Sequence, residues 1–192
     1  MTRRWSLRLL ACLGAGALVL TGCSEKQEAS DALPSSSSAA PTEDELPPLG
    51  PEDMPMPEEA RTQDAAGAEA FVRYYIDLIN RTSTVMDAKP LRDLSDGCRD
   101  CDRIATNTEA DGAAGHSYRG GEIEIASFPA PLLKESTASI ALRINQAPLS
   151  VVDAAGQSID GGSDAYTDLP AGIGLAWDAS RSTWLMTDFT VG

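Results

Sequence analysis

The apolar residues of this chain change period once, and that change limits what it can fold into. From residue 64 to residue 110 they recur every three or four positions, the spacing of helices with one buried face. After the glycine-rich turn at 112–115 they recur every second position, the spacing of strands with one wet and one dry side. Helices followed by a run of strands give a segregated α+β fold, with an antiparallel sheet whose apolar face is covered by the helices.

The helical half resolves into three pieces. Thr62 or Asp64 can cap a helix over 64–83, in which Ala68, Phe71, Tyr74 or Tyr75, Leu78 and Ile79 form one face. Val72 and Ile76 widen that stripe, so the helix is largely buried, and Asn80 to Ser83 are expected to fray. Pro90 to Leu94 is a short helix with proline in its first turn. Asp96 is then placed to cap a third helix from Cys98 to Ala110.

In the strand half, Ile123 and Ile125 alternate with Glu122 and Glu124 in a strand near 118–128. Ile140, Leu142 and Ile144 mark a second over 137–146, and Leu149 to Asp153 a third. Gln157 to Ile159 returns briefly, and Gly161 to Asp168 reads as a loop. Ile173, Leu175 and Trp177 make a fourth main strand, turned by residues 178–181 into a last one from Ser182 to Val191. Strands joined by such short turns pair antiparallel.

This order over about 61–192 resembles the cystatin-like, nuclear-transport-factor-2-like cone. There a long first helix with an aromatic pair, here Phe71 with Tyr74 or Tyr75, lies in the concavity of a curved sheet. A narrower resemblance rests on residues 69–75 (EAFVRYY), 90–95 (PLRDLS) and 97–101 (GCRDC), with the closing strands that carry Trp177 and Trp184. Together with the N-terminal motif described next, these are similar to an uncharacterised family of actinobacterial lipoproteins, which implies a location and a fold but no activity.

At the N-terminus, Arg3, Arg4 and Arg8 precede an apolar run from Leu9 to Leu20. A bilayer-spanning helix needs roughly 20 residues, so this run reads as a secretory signal, residues 1–22. Leu20-Thr21-Gly22-Cys23 resembles the bacterial lipobox. That resemblance implies a diacylglyceryl group on the Cys23 sulfur, cleavage before it, and a location on the extracytoplasmic face of the cell membrane. Two acyl chains anchor stably where one does not. An ordinary cleaved signal with an incidental Cys23 is the alternative.

Residues 23–60 form the lipidated end and a tether. Residues 24–60 hold seven of the 12 prolines, four consecutive serines at 35–38, ten acids and one base, Lys26. Without apolar periodicity such a stretch does not offset its ordering entropy and is expected to be disordered. A spacer through the cell-wall layer is the main reading, and a proline-rich ligand for another protein the rival one.

Charge narrows the function. The precursor carries −14, and loss of residues 1–22, with three arginines and no acid, takes this to −17. Nucleic acid is therefore excluded as a partner, since phosphates demand Lys and Arg. Of four cysteines, Cys12 leaves with the signal and Cys23 is the lipid site, so Cys98 and Cys101 remain where a nearby pair is bridged. A structural bridge across four residues is worth about 2 kcal/mol. The rival reading is thiol–disulfide exchange. It is opposed by Asp96, Asp100 and Asp102, which disfavour a thiolate, and by the lack of a strand just before the pair. Two thiols and one histidine fall short of four zinc ligands, so no metal and no cofactor is expected.

Other candidates are weaker. His116, the sole histidine, reads as a solvated loop residue with no identifiable partner to orient it. Glu122 and Glu124 share one strand face, a wet outer face or a carboxylate pair. Asp153, Asp160, Asp164 and Asp168 do not match a calcium loop. These residues point to a non-catalytic, lipid-anchored domain that binds a small ligand or a cell-surface protein. The alternatives are an enzyme using an acid with Tyr74 or Tyr75, and the exchanger at Cys98 and Cys101.

Overall fold

The computed structural model describes residues 46–192. The signal, Cys23 and the tether up to residue 45 lie outside the described residues.

Helix α1, Ala65–Val85, carries the fold. The Asp64 carboxylate caps it by accepting from the Gly67 amide at 2.7 Å and from the Thr62 hydroxyl at 3.1 Å. Gly67 is required there, because a Cβ would come within 2.1 Å of the Thr62 carbonyl oxygen. The stripe of Phe71, Val72, Tyr75, Leu78 and Ile79 is buried as its spacing predicts. The end does not fray at 80–83 but runs to Val85, where Met86 turns left-handed and donates to the Thr82 carbonyl. Long-range bonds explain the extra length: the Asn80 amide accepts from the Ile123 N–H at 2.8 Å and donates to the Ile123 carbonyl at 2.9 Å.

Helix α2, Lys89–Asp93, has Pro90 in its first turn, and α3 spans Arg99–Ala113. Cys98, not Asp96, is the N-cap of α3. Asp96 is engaged elsewhere. Its N–H donates to the Met186 carbonyl, and the Met186 N–H donates to Leu94, so residues 94–96 lie along the last strand.

Eight strands follow: β1 Ser117–Gly120, β2 Ile123–Ser127, β3 Leu132–Lys134, β4 Thr137–Gln146, β5 Leu149–Val152, β6 Ser158–Ser163, β7 Tyr166–Asp178 and β8 Thr183–Val191. All pair antiparallel. The larger sheet runs β2-β4-β7-β8, with β3 also on β4, and the smaller runs β1-β5-β6. This is the α+β architecture expected, with N-terminal helices packed on bent antiparallel sheets. Ile140, Leu142 and Ile144 from β4, Ile173 and Leu175 from β7, and Trp184, Met186 and Phe189 from β8 form one core with α1. A bulge bends the β7–β8 pair where Gly174↔Asp188 gives way to Leu175↔Met186, and it shifts the inward phase from Met186 to Phe189.

Two strand expectations need correction, and one strand, β3, was not expected. The strand expected near 118–128 is two strands in different sheets. Gly120 and Gly121 break it with φ of 73° and 86°, and a Cβ on Gly120 would sit 2.2 Å from the Pro148 carbonyl oxygen. The partner strand breaks at the same level, between β4 and β5, so the smaller sheet is a folded-over continuation of the larger. The loop expected over 161–168 is mostly strand, because β6 reaches Ser163 and β7 begins at Tyr166. β3 is too short to show a period.

The tether expected over 23–60 ends earlier than its composition suggests. Residues 46–60 dock on the helices and β8. Met56 and Ala60 are buried, with Leu49 and Met54 packed beside them. Asp53 pairs with Arg81 through two bonds of 2.8 Å. Arg61 is the last residue of a single 3-10 turn, Glu58–Arg61, and donates to the carbonyls of Pro47, Arg181 and Ser182. Four apolar side chains and two arginines outweigh the proline and acid content.

Candidate functional site

Where the two sheets fold toward each other, a cleft of about 710 Å³ opens between them and α3. Its floor is apolar: Ile79 from α1, Ile144 from β4, Leu149 and Val151 from β5, and Phe189 from β8. Its wall is polar and comes from α3, with Arg103, Asn107, Thr108 and Asp111. Tyr118, Tyr166 and Asp160 complete the lining. The Gly120-Gly121 break creates this space, since it turns β1 and β5 out of the plane of β2 and β4.

Asp111 is the most constrained polar group of the cleft. α3 continues past Ala110, where its end was expected, through Gly112 to Ala113. That extra turn aims the Asp111 carboxylate at β1. The Tyr118 hydroxyl donates to it at 2.5 Å, and His116 Nδ1 lies 3.2 Å from its other oxygen. The Tyr118 bond, with His116 adding to it, holds the Asp111 carboxyl below the usual carboxylate range, so it is ionised at neutral pH. Burial, with the Asp111 bond and charge adding, pushes the Tyr118 phenol up to about 12, so it remains a donor. His116 is thus half-buried and oriented, not a solvated loop residue. Asp111 and Tyr118 were not picked out from the sequence, although a polar pair seven residues apart across a helix end was a visible signal.

The other sequence candidates do not converge on the cleft. Tyr74 donates to the Met54 carbonyl at 2.9 Å and Tyr75 to the Leu91 carbonyl at 3.2 Å. Burial pushes the Tyr74 phenol to about 12 and the Tyr75 phenol further, so neither is poised to exchange a proton near neutral pH. Glu122 and Glu124 are exposed. Asp153 caps its own turn through the Ala155 and Gln157 amides, and Asp168 pairs with Arg143. Of that acidic group only Asp160 reaches the cleft. Among the described residues no group of three His, Cys, Asp or Glu is placed to hold a metal ion. Cys98 and Cys101 are joined, Cα atoms 5.3 Å apart, and both are about 1% exposed. Exchange needs an accessible sulfur, which this site does not offer.

The profile of a Family of unknown function (DUF6318) matches residues 51–189. The chain belongs to this family. The DUF6318 match begins inside the docked segment upstream of α1, so the family unit and the packed unit share a start well before residue 61. Among solved structures, the DUF6318 chain is similar to the intermembrane space region of the chloroplast protein ARC6, at 15% identity and TM-score 0.49, over 68% of this chain and 97% of that one. It is also similar to a chain named Rd1NTF2_05 in a substituted form, at 11% identity and TM-score 0.40, over 66% of this chain and 96% of that one. No curated protein matches. The DUF6318 family thus supplies neither a ligand nor a location.

Proposed function

We propose that this DUF6318 chain is a lipid-anchored extracytoplasmic binding domain that holds a small, largely apolar ligand in the cleft between its sheets. The cleft carries the reading. About 710 Å³ falls within the size range of small-molecule sites, and an apolar floor beneath a few convergent polar groups is their usual make-up. The one acid–hydroxyl pair described there, Asp111 with Tyr118, is engaged with itself and with His116, and a phenol pushed up to about 12 stays a donor, which favours binding over catalysis. The anchor rests on the lipobox-like Leu20-Thr21-Gly22-Cys23 alone.

Two measurements test the two halves. An environment-sensitive apolar fluorophore is expected to bind the purified chain and to be lost in Leu149→Trp, which fills the floor while melting within a few degrees of the parent. Unchanged binding in a folded Leu149→Trp protein would show that the cleft is not the site. For the anchor, cells expressing the native chain incorporate labelled fatty acid into it, and Cys23→Ala removes the label. Equal label in both would discard lipidation at Cys23.

A further inference from the structure

The same cleft carries a charge pattern that specifies its ligand further. Asp100, Asp111 and Asp160 line it against one base, Arg103, which lies 3.3 Å from Asp100 and so cancels that acid. Asp111 is held in place by Tyr118 and His116, and Asp160 has no ion-pair partner among the described residues. Two carboxylates therefore face a cleft whose remaining polar groups, such as Asn107 and Thr108, are neutral. Three aromatic rings share the lining: Phe189 on the floor, Tyr118 beside Asp111, and Tyr166, which is 44% exposed. Ring faces attract cations and do nothing for anions. Over residues 46–192, 23 acids outnumber 11 bases, so the field around the cleft also concentrates cations.

We propose that the cleft selects organic cations, an ammonium group joined to an apolar body, with the ammonium against the lining carboxylates of Asp111 and Asp160 and the body on Ile144, Leu149 and Val151. This rests on the cleft being a ligand site and adds the sign of the ligand's charge. A carboxylate or phosphate amphipath is disfavoured, because its head would meet two like charges with only the engaged Arg103 to offset them.

Three probes with one body separate the two readings: naphthylethylamine, the corresponding alcohol and the corresponding carboxylic acid. Each is titrated into the full chain by equilibrium dialysis at low salt and again at high salt. The amine is expected to bind about 5-fold tighter than the alcohol, the size of one or two partly exposed charge contacts, and the acid weakest. High salt should shrink the amine's advantage and leave the alcohol unchanged. Asp160→Asn, on an exposed strand, should weaken the amine by about 2-fold and leave the alcohol alone. An amine that binds no tighter than the alcohol overturns charge selection while the ligand site stands. Failure of all three probes to bind overturns the ligand site, and this inference with it.

Discussion

Met56→Ala tests whether the segment upstream of α1 is part of the folded unit. Met56 lies in a stretch whose proline and acid content argues for disorder, yet it is only 8% exposed and joins the core. Its sulfur accepts from the Thr183 hydroxyl at 3.2 Å, and Thr183 is fully buried. Truncation to alanine removes the three heavy atoms beyond Cβ. Large-to-alanine changes in a core cost about 2–5 kcal/mol. Met56 sits at the edge of the core, where neighbours and water can partly fill the gap, and the Thr183 hydroxyl keeps a second acceptor in the Trp184 carbonyl at 3.3 Å. The low end applies, about 2 kcal/mol. For a unit of this size that lowers Tm by about 4–8 °C. With a urea m-value of about 2 kcal/mol/M it lowers the unfolding midpoint by about 1 M. The assay is urea denaturation followed by tryptophan fluorescence, with Trp184 at the same contact surface. Leu46→Ala is the control, since Leu46 is 46% exposed and should change stability by less than about 0.5 kcal/mol. A Met56→Ala midpoint within about 0.2 M of the parent, at unchanged m, would refute the docking and return residues 46–60 to the tether.

Gly67→Ala should cost more than about 2 kcal/mol despite alanine's better helix propensity, because the new Cβ meets the Thr62 backbone; a stabilised variant in thermal melts would contradict the close approach. Replacing Cys98 and Cys101 together by serine should cost about 2 kcal/mol, and the parent should show no turnover in an insulin-reduction assay, since both sulfurs are buried. Asp178, which bonds Ser180 and Arg181, has its carboxyl held down to about 2 in the fold. Its contribution is present above the unfolded pKa near 4 and is lost as pH falls through about 2. Asp178→Asn should therefore be less stable than the parent by about 1 kcal/mol at neutral pH, with the gap closing between about pH 4 and pH 2 in acid-denaturation curves.

Local signals were readable and long-range ones were not. The buried stripe of α1, the Asp64 cap and β4 at 137–146 all follow from residues within a few positions of one another. Gly120-Gly121 fell inside the single strand expected near 118–128. Only the approach of Pro148 and Leu149, 28 residues on, explains why both positions take glycine: a Cβ on Gly120 would meet the Pro148 carbonyl and one on Gly121 the Leu149 side chain, where the strand changes sheet. The docked segment was hidden for a similar reason. Composition counted its prolines and acids, while what holds it is Arg61 reaching the carbonyls of Arg181 and Ser182 across the fold. Met54-Pro55-Met56-Pro57 was the available hint, two large apolar residues in a stretch otherwise poor in them. The cleft left no local mark, because its floor comes from four elements spread between Ile79 and Phe189.

The docked segment also sets a distance. Were the globular part to begin at residue 61, the chain from Cys23 could hold it as far as roughly 120 Å from the bilayer. With the first docking contact at Pro47, whose carbonyl accepts from Arg61, the stretch from Ser24 to Leu46 is 23 residues, a leash of roughly 80 Å at full stretch. Under the proposed anchorage, the molecules this domain can sample are those that come within that shorter radius of the lipid surface.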